Sequence, residues 1–135
     1  MITELLYKLL SFRTKRVRIG RMSLNLWVAS STPQHILGLM HKPRIFQDQG
    51  MLFVFESDAS HDIWMYNMNF AIDCIWIDRN GKVVEIINDM NPCGGMLDCP
   101  AYSPAEDSRY VLELKAGMAK KLKISKGANL GAIIR

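Results

Sequence analysis

Residues 64–87 read WMYNMNFAIDCIWIDRNGKVVEII, and this stretch decides the fold. Asn80-Gly81 stands between the apolar runs Ile75-Trp76-Ile77 and Val83-Val84. A two-residue hairpin loop of type I′ needs φ > 0 at both central positions, which Asn and Gly tolerate. The spacing predicts two adjoining strands, 72–78 and 82–88, joined by a type I′ turn.

Working outward, further strands emerge. Gly50 introduces the apolar run 51–56, MLFVFE, short enough to be a strand covered on both faces. Met22, Leu24, Leu26 and Val28 alternate with Ser23 and Asn25, the pattern of a half-buried strand. Tyr110, Leu112 and Leu114 alternate with Arg109, Val111, Glu113 and Lys115, and this alternation turns Glu113 toward solvent. Leu130 to Ile134 reads as a closing strand. Short helices are expected after Thr32-Pro33, with Thr32 as N-cap, and after Gly117. The sum is an α+β, mainly β chain: a curled or barrel-like, mostly antiparallel sheet of about six strands with two or three short helices.

The 135 residues fit one domain, on a prior of about 100–200 residues each. We divide them into a basic amphipathic N-terminal extension, 1–18, and one β-rich domain, 19–135. Leu5, Leu6, Leu9 and Leu10 form a helical stripe within the first. A helix this short is marginal alone, so the stripe is expected to dock on its own domain, with a membrane surface or a partner as the alternatives.

The net charge of +4 is unevenly spread. Residues 1–22 carry +5 and residues 115–135 carry +6, whereas the middle carries −7. Basic ends on an acidic middle disfavour a nucleic-acid-binding body. They leave room for weak association with a membrane surface. No run of 18 apolar residues exists, so no span is expected. Three cysteines, an odd number, agree with a reducing compartment and a cytoplasmic address.

Several stretches together resemble the family known as domain of unknown function 192. They are Leu37-Gly38-Leu39-Met40, Gly50 to Phe55, Trp64-Met65-Tyr66-Asn67, Ile72-Asp73 and Asp78-Arg79-Asn80-Gly81, then Pro92, Cys99-Pro100-Ala101-Tyr102 and Tyr110 to Gly117. The resemblance covers residues 22–134. It implies a small β-rich, barrel-like domain and no stated activity. The family pattern reads Trp-Met-Lys-Asn-Thr where this chain has Tyr66 and Met68; if those positions touch a ligand in relatives, the resemblance implies either a more apolar contact here or none. Relatives carry export signals where this chain has its basic amphipathic start.

Asp73 is the most informative polar residue, because both faces of its strand are apolar. A buried carboxylate must find donors or a cation. Either it accepts backbone N–H groups and holds the 64–72 loop, or it lines a pocket with Trp64, Met65, Asn67 and Tyr102. Cys93 and Cys99 are spaced Cys-x5-Cys, which matches no zinc knuckle. A disulfide or redox pair and ordinary loop cysteines both stay open, and Cys74 reads as a small core residue. No nucleophile elbow, phosphate loop, dinucleotide fingerprint or metal motif occurs, so no cofactor and no metal is expected.

Three functions survive. The first is a non-catalytic module binding a small molecule or a protein through the 61–73 and 91–107 loops. The second is a small enzyme with Asp73 as acid or base beside Trp64, Asn67 and Tyr102. The third is a nucleic-acid or membrane-surface adaptor working through the basic ends. Whether the chain is a monomer or a dimer is not written in its sequence.

Overall fold

In the central strands apolar side chains alternate with apolar side chains, which requires a sheet covered on both faces. The computed structural model, which describes residues 2–135, has that arrangement. Its elements are α1 (Ile2–Leu9), β1 (Arg13–Ile19), β2 (Met22–Ala29), α2 (Thr32–Leu37), β3 (Gln49–Ala59), β4 (Ile63–Trp64), β5 (Ile72–Ile77), β6 (Val83–Met90), β7 (Ala101–Tyr102), β8 (Ser108–Lys115) and α3 (Met118–Lys121). Six strands form one sheet in the order β1-β2-β3-β8-β5-β6, while β4 and β7 pair separately. Only β2 and β3 run parallel; the other neighbours are antiparallel.

Every residue of β5 is buried. Ile75 and Ile77 join Leu24, Leu26, Leu52, Leu112 and Leu114 in one core, under α3 and the C-terminal segment. Ile72, Cys74 and Trp76 join Met51, Phe53, Val111, Leu39 and Met65 in the other. Trp76 is fully buried and its indole Nε1 donates to the carbonyl of His61, 2.8 Å away, which ties the polar 57–62 segment to the sheet. Gly50, on β3, faces Leu114 of β8 with no room for a side chain. A Cβ there would stand 2.6 Å from the Glu113 carbonyl and 2.7 Å from Leu114 Cδ2, so only glycine fits.

Local chemistry corrects several sequence expectations. The β5–β6 turn is not type I′, because Asn80 does not have positive φ; only Gly81 does, at +90°. Asp78 decides the difference. Its Oδ1 accepts from the backbone N–H groups of Asn80 and Lys82, both at 2.9 Å, and fixes a longer turn with a bulge in the β5–β6 pairing. The N-cap of α2 is Ser31 rather than Thr32. Ser31 and Gln34 form a reciprocal capping box, which no Thr32 cap could share with Gln34 at N3.

The sheet is curled but not closed. The expected closing strand at 130–134 is instead a single 3₁₀ turn, Gly131–Ile133. Asn129 Oδ1 accepts from the Gly131 N–H at 2.7 Å and bends the chain there. This segment nevertheless spans the gap between the sheet edges. Asn129 bridges to Lys82 beside β6, and Lys15 Nζ on β1 donates to the carbonyls of Ile133 and Arg135. The two basic ends of the chain therefore meet. Residues 13–19, of which 13–18 are grouped by sequence with the N-terminal extension, are an edge strand in full register with β2.

Candidate functional site

Between β3 and β5, strand β8 is buried continuously from Val111 to Leu114. Alternation sends Leu112 and Leu114 to one core and leaves Glu113 on the other side, opposite Met51 and Cys74. Glu113 is only 4% exposed, and none of the side-chain hydrogen bonds found among the described residues reaches its carboxyl; the fully enclosed side-chain atom without a partner is Ser108 Oγ. Burial lifts that carboxyl from 4.5 to about 8, so at neutral pH it is mostly a protonated donor. The expectation that Glu113 faces water is corrected here. The rule that one strand face is wet fails in a sheet covered on both sides.

Above Glu113 opens a cleft of about 200 Å³, lined by His35, Gly38, Phe53, Trp64 and Met68 among others. Each wall has a local cause. The capping box starts α2, and Gly38, at φ +48°, ends it. His35 is held by its Nε2, which lies 3.0 and 2.9 Å from the carbonyls of Ala29 and Val54. The opposite wall is the β4–β7 ribbon, in which Ile63 pairs with Tyr102 and Trp64 with Ala101. Asp62 at the rim accepts from Ser103 Oγ at 2.7 Å and so joins the 61–73 and 91–107 loops. Trp64 leans on Tyr66, with ring centroids 5.0 Å apart, and stays 40% exposed.

The N-terminal helix reaches the same side of the sheet. The Tyr7 hydroxyl donates to the carbonyls of Gly38 and Met40, at the edge of the cleft. Burial, and then the charge on Glu113, push the Tyr7 phenol above its ordinary range, so it stays a donor. Lys42 Nζ sits over the rings of Tyr7 and Trp27, 3.9 and 4.1 Å from their centroids. Burial lowers its pKa. Gln34 Nε2 donates to the Leu10 carbonyl at 2.8 Å and anchors the helix exit.

The five residues singled out from sequence do not form one pocket. Trp64 lines the cleft and Tyr102 stands across the ribbon from Ile63. Met65 is 1% exposed and belongs to the core beneath. Asn67 sits exposed in a turn at φ +58°, where its carbonyl accepts from the His41 N–H at 2.9 Å. Asp73 points to the opposite face of the sheet. Its Oδ1 accepts from the Asp89 N–H, and its Oδ2 from those of Gly117 and Ala119, each at 2.9 Å. It fastens β6 and the start of α3 to β5, not the 64–72 loop. The residue that sequence reasoning passed over is Glu113, and its signal was present: an acid inside the run Val111 to Leu114, whose other members are all apolar.

Cys93 and Cys99 are joined in a disulfide, with Cα atoms 5.1 Å apart. The odd cysteine count is thereby explained, since Cys74 is the buried thiol left over. Burial raises the Cys74 pKa well above its usual range. Among the described residues no cluster of three or more His, Cys, Asp or Glu could hold a metal ion. No described helix is long and apolar enough to cross a membrane.

Residues 15–132 match the model of the DUF192 family, described as "Uncharacterized ACR, COG1430". No curated protein matches the chain. Two crystal structures are similar. One, from Sinorhizobium meliloti 1021 and provisionally described as a transcription regulator, is 31% identical with a TM-score of 0.77, covering 88% of this chain and 93% of its own. The other, a protein of unknown function from Novosphingobium aromaticivorans DSM 12444, is 23% identical with a TM-score of 0.75, covering 87% and 83%.

Proposed function

The chain belongs to the DUF192 family, and we propose that it is a non-catalytic ligand-binding module whose site is the cleft over Glu113. One observation carries this reading: a carboxyl that is 4% exposed, reached by none of the side-chain hydrogen bonds found among the described residues, at the floor of an open, largely apolar cleft. A buried polar group is costly when unpaired. A ligand that supplies its partner recovers that cost. Because the carboxyl is protonated at neutral pH, it offers an O–H. The ligand that fits is a small, mainly apolar molecule carrying one strong acceptor, such as an amide or lactam carbonyl. Phe53, Trp64 and Met68 would cover its apolar body.

The arrangement supports a binding role over an enzymatic one. Asp73, the acid considered for catalysis, lies across the sheet from this cleft with three backbone N–H groups on its oxygens. The description of the Sinorhizobium protein would suggest nucleic acid. The acidic middle of this chain, with five basic and twelve acidic residues between 23 and 114, does not favour that partner. The Cys93–Cys99 bond supports an oxidising address in place of the cytoplasmic one read from the cysteine count.

Ligand-observed NMR with a library of small neutral amides and lactams tests the site. Binders are expected that quench Trp64 fluorescence, weaken as pH rises past about 8, and are lost in Glu113→Leu. Binders unaffected by Glu113→Leu, or no binders at all, would overturn the reading.

A further inference from the structure

We infer that α1 and the cationic strand after it form a docking surface for an anionic lipid bilayer. The domain uses one face of α1. Tyr7 turns inward, its hydroxyl on the carbonyls of Gly38 and Met40 and its ring 5.3 Å from that of Phe12. The leucine stripe turns outward. Ile2 is 77% exposed, Leu5 55%, Leu6 36% and Leu9 68%, and no residue of the helix is buried. These four positions follow the i, i+3, i+4, i+7 spacing of a single helix face. Leu5, Leu6 and Leu9 of the stripe expected to dock on its own domain are therefore presented to solvent, Leu10 is half-buried, and an aromatic anchor on the other face holds the helix there.

Charge surrounds that stripe. Lys8 closes the helix, and Arg13, Arg16, Arg18 and Arg21 follow, all exposed, with Glu4 the one acid in residues 2–22. In β1, Val17 and Ile19 enter one core, so Arg16 and Arg18 alternate to the other side of the sheet. That is the side of Trp27, Tyr7 and Phe12, where α1 is seated. Arg16, Arg18 and the exposed leucines thus share one side of the molecule, while Arg13 lies with Lys15 on the other.

This pairing selects the partner. A nucleic acid would neutralise the arginines and leave four large apolar side chains in water. A protein groove would cover the leucines without needing the cations. The interface of an anionic bilayer takes both together, the leucines at the acyl boundary and the Lys and Arg side chains among the phosphates. Lys15, on the same strand, serves the C-terminal side instead, through its bonds to Ile133 and Arg135.

The test is flotation of the full chain with phosphatidylcholine vesicles, with and without phosphatidylglycerol. Binding is expected only with phosphatidylglycerol and should fall as salt rises. The double substitution Leu5→Glu, Leu9→Glu should reduce it about tenfold or more, and Arg16→Gln with Arg18→Gln several-fold. These side chains are exposed, so thermal melting should match the unaltered chain, and the comparison stays readable. Absence of flotation with anionic vesicles would overturn the inference. Equal flotation on neutral vesicles, or flotation untouched by the leucine substitutions, would do the same. So would retention on DNA, or self-association, that is strong while vesicles are ignored.

Discussion

Replacing Glu113 with glutamine should flatten the dependence of stability on pH. In the folded chain the carboxyl titrates near 8 instead of 4.5, because burial penalises the charged form. Between those values the native state holds a proton that the unfolded state has released. Stability must then fall as pH rises, by about 1.4 kcal/mol per pH unit for one group. The full protection is present below about pH 4.5 and is lost by about pH 8. Across about three pH units the loss is on the order of 4 kcal/mol, a large fraction of the 5–15 kcal/mol typical of a domain. The amide of the Glu113→Gln variant has no such proton to release, so that variant should lose only what its other groups contribute. Urea unfolding at a series of pH values from about 5 to about 9 measures both slopes. Parallel curves for the two proteins would refute the reasoning, since they would mean that Glu113 ionises as readily folded as unfolded. A ligand whose acceptor meets the protonated carboxyl would carry the fall of the unaltered chain's curve to higher pH at the same slope, because it holds the proton on the folded carboxyl longer.

Two further outcomes follow from the same geometry. Asp73→Asn should destabilise the fold by about 3 kcal/mol, because an amide cannot accept all the backbone N–H groups of Asp89, Gly117 and Ala119 that the carboxylate now satisfies. Since Asp73 is across the sheet, ligand affinity at the Glu113 cleft should be unchanged in the folded variant; full stability in denaturant would count against its fastening role. Alkylation of the denatured, unreduced chain should modify Cys74 alone, and prior reduction should add Cys93 and Cys99. Three modified thiols without reduction, read by intact mass, would remove the disulfide.

Much of the architecture was legible because it rests on local signals. Apolar alternation, apolar runs and the Asn-Gly signal located β2, β3, β5, β6 and β8, and Thr, Pro and Gly punctuation located the starts of α2 and α3, which end at Leu37 and Lys121. The errors came where a side chain competes with the backbone rule. Asp78 captured two N–H groups and lengthened the hairpin turn, and Asn129 captured one and bent the C-terminal segment. Both are contacts over two to four residues, a turn chemistry that the spacing of apolar residues does not report.

The candidate site was less legible, for a different physical reason. The sequence by itself determined that a mainly β sheet exists, that Asp73 is an acid in an apolar strand, and that the chain begins with leucines among cations. Which way each of these faces belongs to tertiary structure. Covering both faces of the sheet turned Glu113 from an expected surface residue into a buried, protonated acid, and put Asp73 beyond reach of Trp64. Anchoring of Tyr7 on Gly38 and Met40 decided that the leucine stripe looks outward. Periodicity fixes which residues share a face of a strand or helix; only the packing of one element on another decides whether that face meets protein, water or something else.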